Sequence, residues 1–298
     1  MIFPAKPTAL LLATDLSARS DRAQARAIQL ARQWQASLVV VIAHSTDGEF
    51  GKSNAYHDAD ASADAPAPES PAAYIQRLAQ QTLADADVPL VIHVVDGAPG
   101  PAAARIAQEY ACGLIVTGTS RSEVAMRMDP GSTLRWLVRH AKRPVLAVHD
   151  RVQAAYRNVT VASDFSNPAT QALQLANAWF DSASLRTLLH AYEIPLSTLA
   201  RNDGPRETSL QALQEQATQQ AQAYLLQTLG EAAATWQPVM QAGGPVRLLR
   251  EHARSTQTQL TVIATHGRSA LRDRLLGSVA DRLLETVGTD LLVVPPAL

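Results

Sequence analysis

Two stretches of this 298-residue chain carry the same spaced pattern. Gly118-Thr-Ser-Arg121, nine residues, then Gly131-Ser132 is matched by Ala264-Thr-His-Gly267, nine residues, then Gly277-Ser278, an offset of 146 (264 − 118, 277 − 131). The Gly97-Ala-Pro99 and Gly243-Gly-Pro245 turns keep that offset, as do His44 and His190 and the runs Pro144 to Val148 and Asp290 to Val294. Ala13-Thr-Asp15-Leu-Ser17 returns as Ala162-Ser-Asp164-Phe-Ser166, at 149. A duplicated chain must adopt one fold twice, so the sequence divides into 1–150 and 151–298, each half long enough to bury its own core.

Within each half, short apolar runs alternate with helical patterns. Ala9 to Thr14, Leu38 to His44, Leu90 to Val95 and Leu114 to Gly118 read as strands, and Val159 to Asp164, Leu185 to His190, Val239 to Ala242 and Leu260 to Ala264 repeat them. Continuous apolar runs suit parallel strands covered on both faces. With the closing runs at 144–148 and 290–294 the order is β-α-β-α-β-α-β-α-β, twice. The fold class is therefore α/β: two tandem, doubly wound, parallel five-stranded sheets of Rossmann-like form. In such sheets a ligand lies beyond the carboxyl ends of the strands, where strand order reverses.

The repeated motif falls at that place, between a buried strand and an amphipathic helix. Gly267 and Gly277 are expected to take positive φ and let the backbone approach a ligand, while Ser278 opens a helix whose free N–H groups suit a phosphate. Asp15 and Asp164 end the first strand of each half, as a ribose or base contact or as a turn acceptor. The first copy departs from the second: Arg121 stands where the second has Gly267, and Asp129 adds a carboxylate nearby. A bulky residue at a position that needs positive φ costs backbone energy and fills the phosphate space, unless the guanidinium itself pairs with phosphate. Arg268, Arg272 and Arg274, opposed by Asp273, either screen a triphosphate or form a solvated face.

Composition narrows the function. A net charge of −1 and a pI near 6.7 give no bulk attraction for nucleic acid or an anionic membrane. The single cysteine, Cys112, reads as a buried structural thiol in a reducing compartment. No run approaches ~20 apolar residues and no basic-then-apolar leader precedes the first strand, so a soluble, cytoplasmic protein is expected. Between 46 and 71 the acidic residues Asp47, Glu49, Asp58, Asp60, Asp64 and Glu69 face one lysine, Lys52, in a stretch that reads as a surface loop or a lid. There is no Gly-x-Gly-x-x-Gly after a first strand, no P-loop lysine, no Gly-x-Ser-x-Gly elbow and no His-Glu-x-x-His. The eight histidines form no metal constellation and no catalytic residue stands out.

The spacing Gly-x-x-Gly-x9-Gly-Ser, joined to an aspartate ending the first strand and to the duplication, resembles the universal stress protein family in its tandem two-domain form. The resemblance implies an adenine nucleotide alpha hydrolase-like fold that binds ATP, with or without Mg²⁺. It implies that Ala162, Ser163 and Asp164 contact the nucleoside, that Ala191 lies against adenine, and that Thr265, His266, Gly267, Gly277, Ser278 and Val279 surround ribose and phosphates, with Arg268 beside them. Ala264 departs from the motif, which has glycine there. In the first half Asp15, Ser45, Gly118, Gly131 and Ser132 match and Arg121 does not, so the nucleotide is expected mainly in the second half. Val145 to Val148 and Leu291 to Val294 are expected to join the halves as an internal pseudo-dimer, with a homodimer as a further partner arrangement. The function implied is an ATP-binding stress-response or signalling module. The alternatives are a nucleotide-free interaction scaffold and a slow ATP hydrolase using His266 and Asp164.

Overall fold

The computed structural model describes residues 5–44, 69–121, 128–194, 205–267 and 276–296. Most of the acidic stretch, from 46 to 68, lies outside them, as do Ser45, Arg268 and the Arg272 to Arg274 cluster. The first half runs β1 (Ala9–Ala13), α1 (Asp21–Trp34), β2 (Ser37–His44), α2 (Pro71–Thr82), β3 (Leu90–Asp96), α3 (Pro99–Glu109) and β4 (Leu114–Gly118). A short antiparallel pair, β5 (Ser120–Arg121) and β6 (Met128–Asp129), precedes α4 (Gly131–His140) and β7 (Val145–Val148). The second half runs β8 (Asn158–Ala162), α5 (Asn167–Trp179), β9 (Leu185–Tyr192), α6 (Pro205–Leu229), β10 (Gln237–Ala242), α7 (Pro245–Thr256), β11 (Leu260–Ala264), α8 (Ser278–Thr286) and β12 (Asp290–Val294).

The strands order as β10-β9-β8-β11-β12-β7-β4-β1-β2-β3. Each half contributes five parallel strands, and β12 meets β7 antiparallel, with Leu292 opposite Leu146. The two expected five-stranded sheets are thus one continuous ten-stranded sheet. Side-chain alternation explains the two cores: Leu10 and Leu12 point to the face covered by α1, α2, α5 and α6, while Leu11 and Ala13 point to the face covered by α3, α4, α7 and α8. Both apolar layers run through residues of both halves, so burial itself ties the halves together.

The junction also carries a buried polar cluster. Asp290, fully buried, accepts from the amides of His149 (2.7 Å) and Asp150 (3.0 Å) and from the Tyr156 hydroxyl (2.5 Å). Arg26 of α1 lies 3.4 Å from the same carboxylate, stacks on the Tyr156 ring and donates to the Ala154 carbonyl. Burial, and next the Asp290 charge, push the Tyr156 phenol well above its ordinary range. On the other face Arg135 of α4 pairs with Glu285 of α8 at 2.6 Å. Cys112 is fully buried just after α3, and burial pushes its thiol up to about 11, so it stays protonated and unreactive at neutral pH.

Candidate functional site

In each half strand order reverses between the first strand and the fourth, and a cavity opens at their carboxyl ends. The second-half cavity, about 280 Å³, is lined by Ala162, Ser163, Asp164, Ala191 and the stretch Ala264 to Gly267, closed by Gly277, Ser278 and Val279. All of the described second-half candidates therefore meet in one place; Arg268 lies outside the described residues. Sequence reasoning missed the apolar wall of this cavity, Leu189, Leu249 and Ile263. Those residues look like ordinary core in sequence; Leu189 and Ile263 lie toward the carboxyl ends of β9 and β11, and Leu249 lies on α7. A broader hollow of about 820 Å³ lies at the amino end of β3, lined by Leu83, Val88 and Leu90 among others. It is at the opposite end of the sheet from where α/β folds place ligands.

The loop after the first strand is built identically in both halves. The hydroxyl of Ser163 accepts from the Phe165 amide and Asp164 Oδ1 accepts from the Ser166 amide, each at 3.0 Å. Thr14 and Asp15 do the same for Leu16 and Ser17, also at 3.0 Å. These paired turns hold Leu16 (φ 57) and Phe165 (φ 61) in the left-handed region, which fixes where each carboxylate points. Burial pushes Asp15 up, but hydrogen bonds from the Ser17 hydroxyl and amide and the Ser20 hydroxyl outweigh it and leave the carboxyl below its usual range. Behind Asp164, Phe165 stacks on His190 at 4.2 Å and packs on Tyr224 at 4.8 Å. His190 Nδ1 lies 2.7 Å from the Ser163 carbonyl; a carbonyl only accepts, so Nδ1 carries the proton.

The glycines of the motif act through space, contrary to the expectation from sequence. Gly277 has φ −61, and Gly267 is not among the described residues with positive φ. A Cβ on Gly267 would overlap the Asp164 carboxylate, and one on Gly277 would sit 3.1 Å from the Thr265 carbonyl. Gly277 also donates its own amide to that carbonyl at 2.8 Å. Among the described residues no side chain caps α8, which leaves the amides of Ser278, Val279 and Ala280 as donors. His266 Nδ1 lies 2.8 Å from the Thr265 hydroxyl, while its Nε2 is enclosed and bonded to no described residue. The backbone penalty expected at Arg121 does not arise either: it pairs with Met128 in the β5–β6 ladder without positive φ. In the first copy positive φ occurs instead at Gly131, at 75°.

The register also corrects the match between His44 and His190. Thr14 donates its amide to the Val41 carbonyl, and Ser163 donates to the Leu189 carbonyl, so Val41 corresponds to Leu189 and Ala43 to Ala191. His44 corresponds to Tyr192, since their carbonyls accept from Gly97 and Gly243. The first-half counterpart of Ala191 is thus Ala43, not Ser45. Ala43 lines a first-half cavity of about 560 Å³ together with Asp15, Gly118, Gly131 and Ser132.

The universal stress protein family model matches this chain twice, over residues 8–149 and 155–295. The chain belongs to the universal stress protein family. A universal stress protein of Mycolicibacterium smegmatis is 29% identical over 203 residues, 61% of this chain; the match spans 62% of that relative's length. Two solved structures agree in fold over nearly the whole chain. A functionally unknown protein of Pseudomonas aeruginosa PAO1 has a TM-score of 0.66 at 19% identity, covering 98% of this chain and 93% of its own. A universal stress protein of Archaeoglobus fulgidus DSM 4304 has a TM-score of 0.62 at 15% identity, covering 97% and 98%.

Proposed function

We propose that this universal stress protein binds an adenine nucleotide, ATP, mainly in its second half, and acts in the cytoplasm as a stress-response or signalling module. The observation that carries the reading is the composition of the second-half cavity. One side is an apolar slot of Leu189, Ala191, Leu249 and Ile263 that suits a flat base; the other is the uncapped start of α8, with three free amides for phosphate. Asp164, which lines the cavity, would accept from ribose hydroxyls. The enclosed Nε2 of His266 offers one further polar contact. At about 280 Å³ the hollow takes a base and ribose, leaving the phosphates along the first turn of α8. Among the described residues no three His, Cys, Asp or Glu converge, so any Mg²⁺ would be held chiefly by the nucleotide's own phosphates. Nucleotide would signal by binding one conformation of the protein better than another.

The test is calorimetric titration of ATP against the full chain and two variants. Gly277→Val pushes a side chain at the Thr265 carbonyl, and Ala191→Phe fills the slot from a strand end without touching the backbone. Both should weaken ATP at least tenfold, while Thr117→Ile, in the first half, should not. Full ATP affinity in Ala191→Phe, or a loss as large in Thr117→Ile, would show that the nucleotide sits elsewhere. Absence of binding in the wild type would favour the scaffold reading.

A further inference from the structure

Because the chain carries the same cavity twice, each position can be compared with its counterpart, and three apolar positions of the second half bear hydroxyls in the first. Ile263 is replaced by Thr117, Ala169 by Ser20, Val279 by Thr133 and Pro168 by Arg19; Leu189 becomes the smaller Val41 and Ala264 becomes Gly118. Leu134 for Ala280 and Thr14 for Ser163 change the other way, toward a larger side chain. The first cavity measures about 560 Å³ against about 280 Å³, and it carries hydroxyls at Thr117, Ser20 and Thr133 where the second carries Ile263, Ala169 and Val279. At the counterparts of the apolar slot Val41 and Ala43 remain, and the hydroxyl-bearing Thr117 takes the place of Ile263.

What it has gained points to a ligand. Thr117, at the end of β4, is only 6% exposed, lines the cavity and has no hydrogen bond from its hydroxyl to any described residue. That hydroxyl faces the cavity and can bond to a polar group that enters it. Arg19 stands at the mouth, and its guanidinium pairs with no described carboxylate. The ten-residue helix α4 opens at Gly131 without a side-chain cap, leaving the Ser132 and Thr133 amides as donors. Asp15 Oδ1 is committed to Ser17 and Ser20, but Oδ2 has no described partner and can accept from a ligand hydroxyl.

We propose that the first-half cavity is a ligand site of its own, for a hydroxyl-rich phosphate ester of the sugar-phosphate class that lacks a flat base. Arg19 and the start of α4 take the phosphate; Thr117, Thr133 and Asp15 take the hydroxyls. The proposal concerns a different cavity from the nucleotide reading, and the two can fail separately.

The probes are ribose 5-phosphate, inorganic phosphate and AMP, titrated calorimetrically against the full chain. Ribose 5-phosphate should bind the wild type more tightly than inorganic phosphate does and should still bind when ATP saturates the second half. Thr117→Ile installs the residue that the second half already tolerates at this place, so the fold is expected to survive it, and should weaken ribose 5-phosphate at least tenfold. Arg19→Ala, on an exposed side chain, should cost about tenfold, the worth of one charge-assisted contact. Ile263→Thr should leave the sugar phosphate unaffected. Absence of ribose 5-phosphate binding, an unchanged affinity in both Thr117→Ile and Arg19→Ala, or displacement of the sugar phosphate by AMP from the same cavity with higher affinity would overturn the proposal.

Discussion

Removing the Asp290 carboxylate should be among the most destabilising single changes available to this chain. Asp290→Ala deletes the acceptor for two amides and the Tyr156 hydroxyl, and leaves Arg26 without its ion-pair partner. The Arg26 side chain is 4% exposed and that of Asp290 is 0%, so water does not screen the loss. Breaking one side of a buried pair costs about 3–5 kcal/mol, mostly because the other charge is left uncompensated. For a protein of this size each kcal/mol moves the midpoint by ~2–4 °C, so the melt should fall by roughly 6–20 °C. Thermal unfolding followed by circular dichroism measures this directly. The physical cause is checked by a cycle with Arg26→Met. If the stranded guanidinium dominates, the double variant should be more stable than the sum of the single changes implies, by at least ~1 kcal/mol. A melt within 1 °C of wild type for Asp290→Ala, or strictly additive losses, would refute the argument. The position corresponding to Asp290 in the first half is Pro144, so the cluster belongs to one copy only. It fixes the connection from His149 to Arg157 against the second half's last strand.

The architecture was legible because buried parallel strands are continuous apolar runs, and because a duplicated pattern fixes topology twice. Element ends moved by a few residues: α3 begins at Pro99, the last residue of the Gly97-Ala-Pro99 turn, since proline's fixed φ suits a first helical position. The register of β2 against β9 was not legible. Between the first and second strands the second half is one residue shorter, and between the second and third it is two shorter, so one offset cannot serve the whole chain. Two histidines at the right distance suggested a match that the ladder hydrogen bonds contradict. The role of the glycines was half legible. Sequence reveals a missing Cβ but not whether φ or a neighbour demands it, and at Gly267 the neighbour is Asp164, about a hundred residues away in sequence. The Asp290 cluster was invisible, because an aspartate opening a strand reads as a turn residue until Arg26, Tyr156 and the linker amides converge on it.

Two further outcomes follow from the same geometry. Gly267→Ala should displace the Asp164 carboxylate with little effect on stability, so ATP affinity should fall about tenfold while the melting temperature moves by less than ~2 °C; unchanged affinity would mean that this carboxylate does not serve the nucleotide. Tyr156→Phe bears on alkaline stability, and the sign is determined by the folded-state shift. Burial and the Asp290 charge raise the phenol in the folded protein above its ordinary value near 10, so the unfolded chain ionises first. The contribution of Tyr156 is therefore fully present below pH ~10 and is lost as pH rises beyond it. Below that pH the variant should be ~1–3 kcal/mol less stable, because Asp290 Oδ2 loses a buried donor. Above it the gap between wild type and variant should narrow, since only the wild type has a phenol to ionise on unfolding. Urea unfolding of both proteins from pH 8 to 11 reads that gap, and a difference constant across the whole range would mean that the hydroxyl is not held neutral by the buried cluster.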